Sequence, residues 1–326
     1  MKKAKIIGTG SYLPEKVLTN ADLEKIVDTT EEWIVSRTGM RERRIAGAEE
    51  FTSDMGIQAA KNAIKKAKID PKEIDLILVA TLTPDYLFPS TACIIQAALG
   101  IESAALDIQA ACTGYIYGLS VAKAFIESGN YRTILLVAAD KLSSIVDYED
   151  RSTCVLFGDG ASACVVSSEG KGLAIRDVVL GSDGKQTEIL KMPAGGSRNP
   201  TTKETVANKM HCIKMEGRET FKHAVRRMEA SSKECIEKAG LSESEISWLV
   251  PHQANNRIIE AIAKRFQISN ERVFVTIDKY GNTSASSIGI ALDELLDEKS
   301  ISSGEHILLT AFGAGLTWGS TVLTHE

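Results

Sequence analysis

Cys112 lies where an apolar run passes into a helical pattern, in DIQAACTGYIYGLSVAKAFIESG (107–129). The first N–H groups of a helix are unpaired and carry partial positive charge, which stabilises a thiolate. The pattern therefore predicts a nucleophilic cysteine with a lowered pKa. The alternative is a small apolar residue that fits its site. The residues that follow predict a central, buried helix, because Tyr115, Tyr117 and Leu119 are large and largely apolar.

Three further segments place candidate residues at the ends of strand-like runs. In WLVPHQANNRIIEAIAKRF (248–266), His252 follows an apolar run and is predicted to open a helix. Its imidazole can exchange protons near neutral pH, although a capping or core histidine is the alternative. In DKYGNTSASSIGIALDEL (278–295), Asn282 precedes a helix, where asparagine is also an ordinary N-cap. LLTAFGAGLTWGS (308–320) leads a strand into a glycine-rich turn, whose N–H groups can bind an oxyanion.

The elements around these residues predict an α/β fold. Apolar runs alternate with amphipathic helical segments, which indicates βαβ units, a mostly parallel sheet and helices over both faces. Ligands bind open α/β sheets at the carboxyl ends of the strands, so the candidate residues are expected to converge there. Thr52 or Ser53 is predicted to cap the first helix, and Gly100 to end the second. The predicted strands are 74–82, 104–110 and 132–140, and the predicted helices are 52–69 and 89–100.

An internal echo predicts two related halves. IKKAKIDPKEIDLILV (64–79) matches IEKAGLSESEISWLVP (236–251), and TILLVAAD (133–140) matches HILLTAFG (306–313) at a similar offset. This period is far longer than that of a solenoid repeat and indicates a duplicated domain. We predict an N-terminal half over 1–170, which holds the cysteine, and a C-terminal half over 171–326, which holds the histidine and the asparagine.

The composition is that of an ordinary globular protein and excludes several functional classes. The 326 residues are 44% hydrophobic and 25% charged, with a net charge of −5, so no overall positive charge attracts nucleic acid. No run reaches the ~20 apolar residues of a membrane span, and the first residues lack the apolar core of a secretory signal. The six cysteines are well separated, which argues against a zinc site or a disulfide framework and favours a reducing cytoplasm.

Taken together, the motifs resemble one enzyme family, the β-ketoacyl-[acyl-carrier-protein] synthase III enzymes that initiate bacterial type II fatty-acid synthesis. The resemblance covers nearly the whole chain. It implies a thiolase-like fold, in which two pseudo-duplicated βαβ halves form an α-β-α-β-α layered architecture. The motifs occur in the family's order and are EEWIVSRTGMRERRIA, ACTGY, FGDGASA, PHQAN, GNTSAS and FGAGLTWGS.

By that resemblance, Cys112 accepts an acyl group, and His252 and Asn282 complete a Cys-His-Asn triad. The backbone N–H groups of Cys112 and Ala314 would form the oxyanion hole. The implied reaction is the decarboxylative Claisen condensation of a short acyl-CoA, expected to be acetyl-CoA, with malonyl-acyl carrier protein. His252 is expected to act as a neutral hydrogen-bond donor. No metal or other cofactor is expected, because hydrogen bonds take the electrophilic role.

The resemblance also implies binding residues and a homodimer. Phe88 is expected to cross the dimer interface and, with Leu156, to shape the acyl pocket. Ser152, Arg218 and Ala314 differ from the residues common in the family, which puts some CoA contacts in doubt. The basic residues can also be read as two solvated helix faces, and Trp33 as a packing anchor. The expected CoA-binding residues are Trp33, Arg37, Arg151, Gly217, Phe221, Ala254 and Asn255. The expected carrier-protein contacts are Lys222, Gln253, Arg257, Lys264 and Arg265.

Three alternatives remain beside this interpretation. A related starter-unit enzyme of polyketide or alkylquinolone type would use the same triad with another primer. A non-catalytic homologue would only bind acyl-CoA or the carrier protein, although the intact triad disfavours it. A thiolase-like degradative enzyme would need a second catalytic cysteine, and the other cysteines fall outside the matching motif.

Overall fold

The computed structural model describes residues 3–326, which form one large mixed sheet, two small sheets and eleven α-helices. The strands are β1 (Lys5–Tyr12), β2 (Val17–Thr19), β3 (Glu42–Arg44), β4 (Leu76–Ala80), β5 (Ala104–Ile108), β6 (Thr133–Asp140), β7 (Gly160–Ser167), β8 (Leu173–Ser182), β9 (Leu190–Lys191), β10 (Lys214–Met215), β11 (Ile246–Pro251), β12 (His306–Gly313) and β13 (Thr317–His325). The helices are α1 (Asn20–Leu23), α2 (Glu31–Thr38), α3 (Thr52–Ala67), α4 (Thr91–Leu99), α5 (Gly114–Ser128), α6 (Arg151–Cys154), α7 (Lys203–Ala207), α8 (Gly217–Lys238), α9 (Asn256–Arg265), α10 (Ile277–Tyr280) and α11 (Ser286–Glu298). In this part of the chain, every helix is too short or too polar to cross a membrane.

The large sheet has nine strands in the order β11-β12-β13-β8-β1-β7-β6-β4-β5. Its parallel pairs are β4 with β5, β4 with β6, and β11 with β12, whereas the other neighbours run antiparallel. The prediction of a mostly parallel sheet is therefore wrong. Only some connections contain a crossover helix, and a short turn such as 314–316 between β12 and β13 forces an antiparallel pair.

The same pairing pattern occurs twice in the sheet. Strands β4, β6, β7 and β1 adjoin one another in the N-terminal part, and β11, β12, β13 and β8 repeat their order and directions. The matching segments 64–79 and 236–251 each run from a helix through a 3-10 turn into a strand. In each turn a matching glutamate, Glu73 or Glu245, accepts a backbone N–H three residues earlier, at 2.9 and 2.8 Å respectively. The repeat supports two related halves, while their division at residue 170 stays a prediction.

Five layers bury three major cores. The side chains of β4 alternate, so that Leu76, Leu78 and Ala80 pack into a central core with α5 and α11, while Ile77 and Val79 face α3 and α4. On the other side, α8 and α9 cover the C-terminal strands in a third core. The layers are thus α3 and α4, the N-terminal strands, α5 and α11, the C-terminal strands, and α8 and α9. This arrangement confirms the predicted α-β-α-β-α architecture.

The two predicted helices form, with one difference at a cap. Helix α4 is capped by Ser90 and ends at Gly100, whose φ of 65° is left-handed, as the sequence indicates. Helix α3 has Phe51 rather than Thr52 or Ser53 as its N-cap residue, so that prediction is wrong. The two hydroxyl groups instead donate away from the helix, to Thr83 O at 2.7 Å and to a carboxylate oxygen of Asp85.

Candidate active site

A cavity of about 1240 Å³ lies at the carboxyl ends of the strands in both halves. Its walls include Cys112, His252 and Asn282, together with Gly313 and Ala314 of the glycine-rich turn. Four segments that are distant in sequence thus meet at one site. This is the convergence that strand-end binding in α/β folds predicts.

Cys112 occupies a 3-10 turn, Ala111–Thr113, between β5 and α5. Ala111 has a φ of 46°, a left-handed conformation that is uncommon for a non-glycine residue and turns the chain sharply before the thiol. Helix α5 is buried as predicted, and Tyr115 and Leu119 are 0% exposed. The expectation of a lowered thiol pKa is wrong, because burial raises the pKa of Cys112 to about 12. Burial here outweighs the helix terminus.

The glycine-rich turn lies directly against the nucleophile turn. A Cβ atom at Gly313 would stand 2.8 Å from the backbone N of Cys112, so only glycine permits this approach. The Thr317 hydroxyl joins the two turns, at 3.0 Å from Ala110 O and 3.0 Å from Ala314 O. It also lies 2.9 Å from the Thr113 hydroxyl. Thr317 therefore fixes the spacing between the two predicted oxyanion-hole N–H groups.

His252 lies in the loop after β11 rather than at the start of α9, which Asn255 caps. The imidazole is 3% exposed, and this burial lowers its pKa to about 3, so it is neutral at physiological pH. Nδ1 lies 2.7 Å from Ser287 Oγ, which already accepts the N–H of Gln253 at 3.2 Å. Ser287 Oγ can donate its proton to Nδ1, and in that arrangement the imidazole proton is on Nε2.

Asn282 is oriented by its own turn, between α10 and α11. Its Oδ1 accepts the N–H of Ser284 at 2.9 Å, so the Nδ2 group is available as a donor to the cavity. The side chain is 6% exposed. The Asn282 backbone is held in turn by Leu156 and Gly158, through hydrogen bonds of 2.9 and 3.0 Å. A neutral histidine donor and an amide donor thus share the cavity with the thiol.

Most of the predicted CoA-binding residues line the same cavity. Arg151 is not among them, but its guanidinium lies 5.0 Å from the centre of the Trp33 ring. Asn255 donates through Nδ2 to Arg37 O at 3.0 Å and so ties α9 to α2. The predicted residues in the cavity wall are Trp33, Arg37, Gly217, Phe221, Ala254 and Asn255. Ser152 and Arg218, which depart from the family pattern, line it as well.

The predicted carrier-protein residues fall into two groups. Lys222, Arg257, Lys264 and Arg265 are exposed on α8 and α9, and Lys222 and Arg257 also line the cavity. Gln253 is different, because it is 1% exposed and its amide bonds only backbone groups. The partners of this amide are Pro251 O, Phe274 O, Thr276 N and Ile277 N. The prediction that Gln253 contacts a carrier protein is therefore wrong; it holds the loop that carries His252.

The two predicted acyl-pocket residues have contrasting environments. Leu156 lines the cavity beside Phe157. Phe88 is 85% exposed and lies outside the cavity wall of its own chain. Its neighbour Leu87 is 86% exposed. Two adjacent, large apolar side chains that are this exposed to solvent are unusual on the surface of a monomer.

Sequence reasoning missed three hydroxyl residues that position the site, Ser284, Ser287 and Thr317. Each lies within a recognised segment, GNTSAS with the serine that follows it, or FGAGLTWGS. A serine or threonine in such a segment is also a common cap, and only the fold reveals its contact with a catalytic group. No cluster of three or more His, Cys, Asp or Glu side chains with metal-binding geometry occurs in residues 3–326.

Comparisons with known proteins agree with this geometry. Family models described as 3-oxoacyl-[acyl-carrier-protein (ACP)] synthase III and its C terminal match residues 106–184 and 236–325. The chain is 62% identical to a β-ketoacyl-[acyl-carrier-protein] synthase III of Chlamydia muridarum, over 98% of this chain and 99% of that relative. Its fold matches the crystal structure of 3-oxoacyl-[acyl-carrier-protein] synthase III from Aquifex aeolicus with a TM-score of 0.91 and 50% identity, over 99% of this chain and all of the other.

A priming β-ketosynthase of the R1128 polyketide pathway also shares the fold, with a TM-score of 0.91 and 35% identity over 100% of this chain and 97% of that one. The two synthase III relatives named above, at 62% and 50% identity, are more similar in sequence, and both family models carry the synthase III description. With a thiol, a neutral imidazole and an amide on one cavity wall, this chain belongs to the 3-oxoacyl-[acyl-carrier-protein] synthase III family.

Proposed function

We propose that this chain condenses a short acyl-CoA, acetyl-CoA, with malonyl-acyl carrier protein in a decarboxylative Claisen reaction that initiates type II fatty-acid synthesis. The observation that carries the proposal is the meeting of Cys112, His252 and Asn282 in one cavity. The names of the relatives supply the substrate class, and the geometry supports a role for each side chain.

Acyl loading comes first in the proposed reaction. The sulfur of Cys112 attacks the thioester carbonyl of acetyl-CoA, and CoA leaves as the acetyl group becomes bound to the enzyme. The backbone N–H groups of Cys112 and Ala314 stabilise the oxyanion of the tetrahedral intermediate. The contact between Gly313 and the nucleophile turn supports this role, because it brings the segment that holds Ala314 against the backbone N atom of Cys112.

Condensation follows when malonyl-carrier protein enters the site. Nε2–H of His252 and Nδ2–H of Asn282 donate to its thioester carbonyl, and these bonds strengthen as loss of carbon dioxide leaves an enolate. The enolate carbon attacks the acetyl group on Cys112 and releases 3-oxobutanoyl-carrier protein. The neutral His252 and the fixed amide of Asn282 suit this role. Since these hydrogen bonds stabilise the negative charge of the enolate, we propose a reaction that needs no metal or other cofactor.

The CoA nucleotide is proposed to bind at the mouth of the cavity, near α2 and α6. Trp33 and Arg151 stack on each other there, and an adenine ring inserted between them would keep a stacking partner on each face. Arg37 is close enough to line the same opening and can pair with a phosphate. The pantetheine arm would then run past Gly217, Phe221 and Asn255 toward the thiol, along the lining already described.

Carrier protein is proposed to dock on the basic residues of α8 and α9. Acyl carrier proteins are acidic, and the exposed cations at the cavity mouth give complementary charge on a chain of negative net charge. Arg257→Glu should raise the KM for malonyl-carrier protein while acetyl loading from CoA stays unchanged. Lys233→Glu is the matched control, since Lys233 is exposed on α8 three turns beyond Lys222. An unchanged KM in Arg257→Glu would contradict this surface.

A homodimer is proposed to form along β5. This strand is an edge of the large sheet, with β4 as its single neighbour, and Leu106 on it is 40% exposed. The free edge can pair with the same edge of a second copy, which would also cover Leu87 and Phe88. Phe88 would then reach the partner's acyl pocket. Sedimentation should give a dimer mass, and Phe88→Asp should shift it toward the monomer.

The cytoplasm is proposed as the compartment of this enzyme. Among the described residues all six cysteines are free thiols, and Cys93 is exposed to solvent. A reducing compartment keeps such thiols free and keeps Cys112 available for acylation.

The experiment that tests the substrates is a primer panel. Purified enzyme is given malonyl-carrier protein with acetyl-CoA, isobutyryl-CoA or octanoyl-CoA, and the carrier-bound products are read by mass spectrometry. We expect the 3-oxobutanoyl product at the highest rate. Product from a longer or branched primer alone would favour the related starter-unit function. No product from any primer would contradict the proposed activity.

A further inference from the structure

A cation that the reaction described above does not use, Arg227, lies on α8 behind the glycine-rich turn. Its side chain is 28% exposed, and its Nη2 atom donates to Oδ2 of Asp183 at 3.2 Å. Its guanidinium carbon lies 4.2 Å from the centre of the Trp318 ring. None of these three side chains is part of the cavity wall. Any effect they have on the reaction is therefore transmitted through the backbone.

The backbone of Asp183 is paired with the glycine-rich turn. Ser182, the last residue of β8, is aligned with Thr317, the first residue of β13. One residue further on, the N–H of Asp183 donates to Leu316 O at 2.8 Å, and the N–H of Leu316 donates to Asp183 O at 3.1 Å. Leu316 is 0% exposed and follows Ala314, the second proposed oxyanion donor, by two residues. The position of Asp183 thus constrains the position of this turn.

The same end of β8 also contacts the nucleophile helix, α5. The Tyr117 hydroxyl on that helix donates to Gly181 O at 2.9 Å. A Cβ atom at Gly181 would stand 2.4 Å from the indole of Trp318, so the missing side chain lets the indole lie against the strand. The segment 181–183 therefore touches both the helix that follows the thiol and the turn that holds Ala314.

The contacts of Arg227 are more demanding than those of an ordinary surface ion pair. Such a pair alone contributes little. A planar guanidinium, however, can pair with a carboxylate and stack on an indole at the same time, which an ammonium group cannot do equally well. The buried Nε of Arg227 has no hydrogen-bond partner within residues 3–326. The side chain thus forgoes one hydrogen bond in the orientation that holds Asp183 and Trp318.

We propose that Arg227 is a positioning residue for acyl loading. By stacking on Trp318 and pairing with Asp183, its guanidinium holds the end of β8. The two backbone bonds between Asp183 and Leu316 pass this restraint to the glycine-rich turn. The N–H of Ala314 is thereby held in place before the oxyanion forms, which is when a preorganised donor is most effective. The inference rests on the proposed oxyanion hole.

The test compares the two half-reactions in Arg227→Met, which keeps an apolar stem and removes the cation. Acetyl loading is followed by rapid quench and intact-protein mass spectrometry over a range of acetyl-CoA concentrations. The maximal loading rate should fall about 10-fold, less than the ~10²-fold typical of losing an oxyanion donor outright. The half-saturating acetyl-CoA concentration should stay within about twofold of the wild type, because ground-state binding is untouched. Decarboxylation of malonyl-carrier protein without primer should be unchanged, since it uses His252 and Asn282.

Three further variants separate this role from a general loss of structure. Asp183→Asn should slow loading to a similar extent, and the double variant should lose no more than the weaker single variant, because both changes break one network. Arg227→Lys keeps the charge without the planar stack, so its rate should fall between those of Arg227→Met and the wild type. Arg176→Met is the control and should load normally, since Arg176 is exposed on β8 and forms no ion pair in the described chain.

Loading at the wild-type rate by both Arg227→Met and Asp183→Asn would overturn the inference. So would an equal loss of loading and decarboxylation, which indicates a general structural role. A raised half-saturating concentration at an unchanged maximal rate would also overturn it, because that result indicates a role in CoA binding. Should Arg227→Met fail to fold, Asp183→Asn decides, since it changes the side chain least. A wild-type enzyme that takes no acetyl group would overturn the proposed function first.

Discussion

Replacing Ser287 with alanine should slow decarboxylation and leave acyl loading intact. Ser287 Oγ lies 2.7 Å from Nδ1 of His252, and the two side chains are only 2% and 3% exposed. The change removes the group that keeps the imidazole proton on Nε2. It also leaves Nδ1 of His252 and the N–H of Gln253 without their partner.

The size of the effect follows from the cost of an unpaired buried polar group. That cost is about 1–3 kcal/mol. If it falls entirely on the Nε2–H tautomer, the decarboxylation rate drops about 5- to 150-fold. Loading should stay within about twofold of the wild type, because the proposed loading step uses the oxyanion turn and the thiol and makes no use of His252.

Two separate assays distinguish the half-reactions. Loading is measured as the acetyl adduct after a pulse of acetyl-CoA, and decarboxylation as conversion of malonyl- to acetyl-carrier protein in the absence of primer. Ser286→Ala is the control, since Ser286 is 0% exposed, adjoins Ser287 and bonds Thr283 O at 2.8 Å instead of the imidazole. Equal decarboxylation by the two variants would refute the tautomer argument, as would an equal loss of both half-reactions in Ser287→Ala.

Three other predictions follow from the geometry. Condensation by pre-acetylated enzyme should show no fall between pH 8 and 6 from protonation of His252, because its pKa of about 3 keeps it neutral throughout; a fall with a midpoint near 6.5 would contradict this. Gly313→Ala should lower the loading rate at least about 10²-fold, the loss typical of one oxyanion donor, since its Cβ would stand 2.8 Å from the nucleophile's N atom. Asp293→Ala should destabilise the fold by about 1–3 kcal/mol in denaturant unfolding, because this 5% exposed carboxylate pairs with Lys66 at 2.7 Å and its loss leaves the buried Thr9 hydroxyl, which donates to it at 2.7 Å, without a partner.

Each of the two substitutions has a matched control. Gly184→Ala adds a Cβ in open space and should leave loading unchanged. Asp297 is the second partner of Lys66, and its carboxylate is 60% exposed. Asp297→Ala should therefore lower the free energy of unfolding by under about 1 kcal/mol. Similar stabilities for Asp293→Ala and Asp297→Ala would show that burial does not strengthen the pairing. Normal loading by Gly313→Ala would contradict the proposed oxyanion hole.

The sequence was sufficient to predict which segments form the site, because Cys112 and His252 each follow a strand-like run. Asn282 differs from that pattern, since it lies in a turn between α10 and α11. Cys112, His252 and Asn282 line one cavity. The internal sequence repeat, which aligns Glu73 with Glu245, corresponds to two equivalent capped turns in the structure. These features depend on local patterns and on the rule that strand ends face the site.

Features that depend on burial by distant segments could not be predicted in the same way. The sequence places Cys112 at a helix start, but the opposite direction of its pKa shift arises from the surrounding chain. Gln253 has a polar side chain of the kind expected at the surface. Its amide is nevertheless buried, where it donates to Pro251 O and accepts the N–H of Thr276. The prediction of strand direction was wrong for a similar reason. A strand that is buried on both faces, such as β6, has the same continuous apolar run beside a parallel or an antiparallel neighbour, so the connections must be known first.

The most direct test of the account is peptide mass spectrometry after acetyl-CoA and then malonyl-carrier protein. The account predicts one acetyl group on the peptide that contains Cys112, followed by its discharge as 3-oxobutanoyl-carrier protein appears in equal amount. His252→Ala should still accept the acetyl group but discharge it far more slowly. An acetyl group on another residue, or a label on Cys112 that malonyl-carrier protein leaves in place in the wild type, would contradict the central claim.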